Sequence, residues 1–305
     1  MSQPSVAILG PGAIGGFLAA VLWRKGIPVT CIGRENSVRT LAKEGIRLES
    51  VIFGNFIARP KVIPQLNHSP DMLFVTTKAT TLQSALDRVH PHVLTDTVVI
   101  PLLNGLEHVQ ILRTRYGKRV AVGSISIEVK RHRVNHIIHT TSFARIKLAS
   151  DGDVSANRLV EISNLLSNAG IETKLLESEA AVLWEKLVRL NAIACTTAAS
   201  SRPLGFIRSD PWWRKQLESC VREGAAIAMT EGTKTDPKTV MSQIDALPDT
   251  LTTSLQRDIM AGKPSELDAI AGAVVRAGAK HGIARPTIKN LIKMIESRTV
   301  AKKPS

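Results

Sequence analysis

Apolar residues in the first half of the chain fall into short unbroken runs, with amphipathic stretches between them. Val6–Leu9 is such a run, closed by glycines, and Ala13–Lys25 behind it carries helical periodicity. Val29–Ile32, Leu73–Thr76 and Val98–Pro101 repeat the run, and segments such as Thr80–Val89 repeat the amphipathic spacing. Strands buried on both faces read as continuous apolar runs, and their alternation with helices predicts a parallel sheet with crossover helices. Beyond about residue 180 the runs stop. Helical patterns replace them near Glu179–Ala199, Pro211–Glu231, Asp249–Ile259, Glu266–His281 and Thr287–Ser297. The expectation is an α/β domain over residues 1–176, doubly wound about a mostly parallel sheet, and an all-helical domain over 177–305. No internal repeat is visible, and the Lys302–Ser305 tail is expected to fray.

Composition adds the sign of the partner. Of 305 residues, 40 are Lys or Arg and 26 are Asp or Glu, a formal net charge of +14. Residues 1–150 hold 19 basic and 8 acidic side chains (+11) and the remainder 21 and 18 (+3), so the excess sits in the α/β half. Anionic small molecules fit that balance. Nucleic acid does not follow from it, because no aromatic-rich strand, helix-turn-helix pattern or basic helix accompanies the charge. Cys31, Cys195 and Cys220 form no C-x-x-C pair, so neither a disulfide framework nor a thiolate zinc site is predicted, and a reducing compartment fits. His132, His136 and His139 run into the β-branched segment Ile137–Ser142, where their spacing does not converge on a metal. The stretch before Arg24 lacks charge but is broken by glycines and prolines. It reads as the start of a cytoplasmic protein rather than a leader or an anchor.

The chemistry begins at Gly10-x-Gly12-x-x-Gly15, directly after the first strand and opening the first helix. In that context Gly10 permits the tight turn, Gly12 lets backbone N–H groups approach a pyrophosphate, and Gly15 lets the helix pack on the sheet. Ala13 and Ile14 supply the first helical N–H groups to the same anion. At the end of the second strand, where an acidic residue holds the ribose of NAD, the chain reads Gly33-Arg34-Glu35. Arg34 suits a 2′-phosphate, which favours NADP(H) over NAD.

Together with this fingerprint and Arg34, four further motifs recur in order: Thr77-Lys78-Ala79, Leu103-Asn104-Gly105, Leu183-Trp184-Glu185-Lys186, and Ser254 followed by Gly262-Lys263-Pro264-Ser265-Glu266. In that order and spacing, across nearly the whole chain, the sequence resembles the ketopantoate reductases. The resemblance implies a Rossmann domain followed by a helical domain of the 6-phosphogluconate dehydrogenase type, with NADPH and a 2-oxo acid meeting in the cleft between them. It also implies that Lys186 is the general acid, that Glu266 orients Lys186 or contacts the ligands, and that Ser254 hydrogen-bonds the substrate. Lys78 and Asn104 would contact cofactor and substrate from the Rossmann side. A monomer or homodimer is expected.

One departure affects the substrate. The family's helix carries asparagines four and eight positions beyond the lysine, on the lysine's face, where this chain has Leu190 and Ala194. Asn191 lies one place later, turned away by about 140°, and would rejoin the site only through a π-bulge. The reaction class therefore points to 2-oxo acid reduction, with ketopantoate to pantoate as the family's reaction. The altered face points to a branched or aryl 2-oxo acid as the alternative. A catalytically silent NADP-binding protein is the further alternative, opposed by the retained Lys186 and Glu266.

Overall fold

The computed structural model describes residues 3–300. The tail expected to fray at Lys302–Ser305 lies outside them. The chain divides into two compact units: one runs to Leu103 and resumes over His108–Val182, and the other joins Asn104–Glu107 to the chain from Leu183 onward. The division falls after Val182 rather than after residue 176. Glu179 explains the shift, since its carboxylate takes hydrogen bonds from Arg113 and from the Asp151 backbone N–H (3.1 Å), tying the first turn of a long helix to the α/β unit.

The first unit is built on β1 (Val6–Leu9), α1 (Ala13–Arg24), β2 (Val29–Ile32), α2 (Glu35–Glu44), β3 (Ile46–Ser50), β4 (Phe56–Ala58), β5 (Lys61–Ile63), β6 (Met72–Val75), α3 (Leu82–Leu86), β7 (Val98–Pro101) and α4 (His108–Tyr116). It continues with β8 (Val122–Ser126), β9 (Val129–Arg133), β10 (His136–His139), β11 (Arg145–Ala149), α5 (Ala156–Asn168) and β12 (Glu172–Leu175). Five parallel strands form the main sheet in the order β5-β2-β1-β6-β7. Successive residues point to opposite faces, and both faces are covered: Val6, Ile8, Met72 and Phe74 enter one core, and Ala7, Leu9, Leu73 and Val75 enter the other. That double burial is why these strands read as unbroken apolar runs. Order reverses at β1, which has β2 on one side and β6 on the other, and such a switch point opens a crevice at the carboxyl ends of the strands.

Two smaller sheets complete this unit, β4-β3-β10-β9 and β12-β11-β8. The histidine-rich stretch forms the antiparallel β9–β10 hairpin. His139 is buried there, its ring nitrogens bonded to Ser50 Oγ (2.8 Å) and Thr141 Oγ1 (2.9 Å). Among the described residues no cluster of three or more His, Cys, Asp or Glu side chains is placed to hold a metal.

The helical unit contains α6 (Glu179–Ser200) from Leu183 onward, α7 (Leu204–Ser209), α8 (Pro211–Thr230), α9 (Pro237–Asp245), α10 (Ser254–Met260), α11 (Ala273–Lys280) and α12 (Pro286–Val300). Its starts are set by capping residues. Asp210 accepts from Trp212 and Trp213 N–H (3.0 and 2.9 Å) ahead of Pro211, Asp236 does the same ahead of Pro237, and Thr253 Oγ1 accepts from Gln256 N–H (3.2 Å). The core runs along α6, where Trp184, Val188, Ala192, Ala194, Cys195 and Ala198 are all almost fully buried. A π-helical turn, Asp268–Gly272, leads into α11. No helix among the described residues is long and apolar enough to cross a membrane.

Candidate active site

In the α/β unit the carboxyl ends of β2, β1 and β6 lie side by side and carry Arg34, the Gly10–Gly15 loop and Thr76–Lys78. The three glycines serve different ends. Gly10 has φ +89°, and a Cβ there would stand 2.7 Å from Thr77 Cγ2. A Cβ on Gly15 would lie 2.4 Å from both Gly10 O and Thr76 Oγ1. Both glycines are demanded by the fold. Gly12 is not, because its φ is −81° and a Cβ would meet only Gly10 O, at 3.8 Å. A missing side chain with no protein neighbour to avoid leaves open space at the start of α1. That start also has no side-chain cap, so the N–H groups of Ala13 and Ile14 face the opening with the helix's positive end.

Two further features complete the fit to a dinucleotide. Thr76 Oγ1 ties the loop to the sheet through Leu9 O and Gly10 O (3.1 and 2.8 Å), and beside it Thr77 Oγ1 is buried with no hydrogen-bond partner. Arg34 is exposed at the N-cap of α2, while the Glu35 carboxylate turns along the helix to Arg39 at 3.5 Å. Both the Arg34 cation and the Glu35–Arg39 pair are thus exposed at the carboxyl end of β2. Lys78 is exposed at the N-cap of the turn after β6.

The helical unit holds the titratable group. Lys186 lies on α6, Glu266 just before the π-helical turn, and Asn104 after β7 in the short segment that belongs to this unit. Lys186 Nζ donates to Asn104 Oδ1 (3.0 Å), and Asn104 Nδ2 donates to Glu266 Oε2 (3.2 Å). The amide orientation follows from its partners, since a lysine only donates and a carboxylate only accepts. Burial lowers the Lys186 ammonium from its ordinary 10.5 to about 8; the Glu266 carboxylate opposes that shift and the Arg189 cation adds to it. A half-buried lysine with its pKa near the working pH is suited to giving up a proton.

The segment carrying Asn104 is clamped. Gly105 has φ +94°, and a Cβ would lie 2.2 Å from Ala269 O of the π-helical turn. Arg276 of α11 binds Glu107 through two hydrogen bonds (2.6 and 2.9 Å) and Asp268 through another (2.7 Å). Residue-by-residue reading missed Glu107 and Arg276, because charge partners far apart in sequence carry no motif. Asn104, which the resemblance expects to contact cofactor and substrate, has its amide between Lys186 and Glu266.

Two expected substrate contacts fare differently. Ser254 is the first residue of α10 and exposed; the cap is Thr253, bonded to Thr197 (3.1 Å). Asn191 is corrected. The helix has no π-bulge there, and the side chain is fully buried, its amide spent on Cys220 Sγ and Cys195 Sγ at 3.4 Å each. It satisfies the core and does not line a site. Of the replaced asparagine positions, Leu190 is half-buried and Ala194 fully buried.

Residues 6–151 match the family described as ketopantoate reductase PanE/ApbA, and residues 180–299 match its C-terminal domain. A 2-dehydropantoate 2-reductase from Caulobacter vibrioides is 28% identical over 96% of this chain and 98% of its own length. An uncharacterised oxidoreductase from Bacillus subtilis is 24% identical over 93% and 95%. Among solved structures, a D-mandelate dehydrogenase crystallised with NADH and anilino(oxo)acetate superposes with a TM-score of 0.90 at 19% identity, over 97% of this chain and 99% of that one. With both halves matched in order, the chain is a member of the ketopantoate reductase family of oxidoreductases.

Proposed function

We propose that the protein reduces a 2-oxo acid to the 2-hydroxy acid with NADPH. The observation that carries this is the chain Lys186–Asn104–Glu266, a half-buried ammonium held in place by a neutral amide that is itself held by a carboxylate. Backbone N–H groups of the Gly10–Gly15 turn, with Ala13 and Ile14, hold the pyrophosphate; Arg34 holds the 2′-phosphate; Lys78 and Asn104 contact the cofactor beyond it. Bound there, NADPH supplies the hydride to the carbonyl carbon. Lys186 stabilises the charge developing on the carbonyl oxygen and gives it a proton from Nζ. Asn104 keeps Nζ pointed at that oxygen, and Glu266 keeps the ammonium form populated in the buried site. Ser254, exposed at the start of α10, donates to the substrate.

The substrate this reading favours has a plain alkyl or aryl group on the carbonyl. Leu190 offers no partner to a hydroxyl, and leaving one unpaired costs about 1–3 kcal/mol. The D-mandelate dehydrogenase likeness lends the aryl case an example on the same fold. Ketopantoate is the second reading, supported by the Caulobacter relative. Absorbance of NADPH and of NADH, followed with ketopantoate, pyruvate, 2-oxoisovalerate and benzoylformate, tests both. NADPH should be consumed fastest with 2-oxoisovalerate or benzoylformate. A flat trace with every acid would leave a silent cofactor-binding protein.

A further inference from the structure

Helix α6 carries a second cation one turn beyond Lys186. Arg189 lies three residues on, so the two side chains share a face, about 5–6 Å apart at Cβ. Arg189 is half-buried, and burial holds its guanidinium below the usual range. Its hydrogen bond runs from Nη1 to the neutral Gln243 Oε1 of α9, at 3.3 Å, and no carboxylate of the described residues lies within ion-pair distance.

Three other arginines of this unit are answered by acids, Arg208 by Asp249, Arg214 by Asp245 and Glu218, and Arg276 by Glu107 and Asp268, whereas Arg222, Arg257 and Arg298, like Arg189, bond neutral oxygens; of these only Arg189 lies one turn from Lys186. A guanidinium offers five N–H donors, and one long bond to an amide leaves most of them, and the charge, to water or to a ligand. Lys186, Arg189 and Glu266 sum to a local charge of +1, which one carboxylate neutralises. In a 2-oxo acid the carboxylate is bonded directly to the carbonyl carbon, so its anchor must stand beside the group that protonates the carbonyl oxygen.

We propose that Arg189 is the anchor for the substrate carboxylate, an assignment that rests on the 2-oxo acid reductase reading above. Lys186 then serves the carbonyl oxygen and Arg189 the acid beside it, with the planar fork fixing the carbonyl's orientation as a point charge would not. Neither composition nor motif singles Arg189 out.

The test compares wild type with Arg189→Met and Arg189→Lys, each assayed with a 2-oxo acid and with its methyl ester. Arg189→Met should raise the KM for the acid on the order of a hundredfold, as expected for loss of a desolvated charge partner, with kcat and the KM for NADPH within a few-fold. The ester should be used equally by wild type and Arg189→Met, so the preference for acid over ester collapses, while Arg189→Lys keeps part of it. An Arg189→Met protein with wild-type KM and an intact acid-over-ester preference overturns the anchor alone. A wild-type protein that oxidises no NADPH with any 2-oxo acid overturns the activity, and the anchor with it.

Discussion

At the scale of single residues, half-buried charge is placed where it costs stability. Lys186 is held with its pKa near 8 by burial, so the fold works against its ammonium. Lys186→Met should cut kcat by about 10²-fold or more, the size of a lost general acid, without lowering the unfolding temperature. Steady-state rates and a thermal melt measure both. Arg34 is an exposed cation with no ion pair among the described residues, and its neighbouring Glu35–Arg39 pair is exposed, hence worth no more than about 1 kcal/mol. Arg34→Ala should therefore leave stability alone and raise the KM for NADPH about tenfold more than that for NADH; equal changes would remove Arg34 from the cofactor site. These residues were legible because they sit in contiguous motifs. Arg189 and the true place of Asn191 were not, since burial and partners across helices leave no trace in local spacing.

At the scale of elements, the two-faced strands β1, β2 and β7 and the long helices α6 and α8 read correctly because each buries enough apolar surface to impose its period. The short helices α7 and α9, and the edge strands β4, β5 and β12, carry three to nine residues with mixed polarity and were invisible. The third helical pattern began early at Asp249, because Thr253 caps α10 and delays its start to Ser254. The π-helical turn at Asp268–Gly272 was likewise not foreseen, and it braces the Asn104 segment through Gly105 and Arg276. Arg276 and Glu107 are about half-exposed, so their bridge contributes no more than about 1 kcal/mol to folding. Arg276→Met should lower kcat severalfold through a misplaced Asn104 while denaturant unfolding shifts by less than that amount. A loss of stability without a kinetic effect would make the bridge merely structural.

At the scale of the molecule, the charge excess of residues 1–150 has two destinations. Part of it lies at the carboxyl edge of the main sheet with Arg34 and Lys78, and part on β9, where Lys130, Arg131, His132 and Arg133 are exposed along the border of their sheet. Charge on an edge strand discourages further strands from adding to it, which accounts for the run. The proposed substrate preference belongs to the same scale, because it depends on what a whole face of α6 lacks. Leu190→Asn should improve kcat/KM for ketopantoate about tenfold relative to 2-oxoisovalerate by restoring a partner for the hydroxyl; no change in that ratio would detach Leu190 from substrate choice.

The most direct measurement is the pH dependence of kcat/KM in both directions. Reduction needs the protonated lysine, so it should hold level below about pH 8 and fall above it as Nζ loses its proton. Oxidation of the hydroxy acid needs the neutral amine and should rise through the same pH. A reduction rate that stays level well above that pH, with no matching rise in oxidation, would mean that Lys186 is not the proton donor.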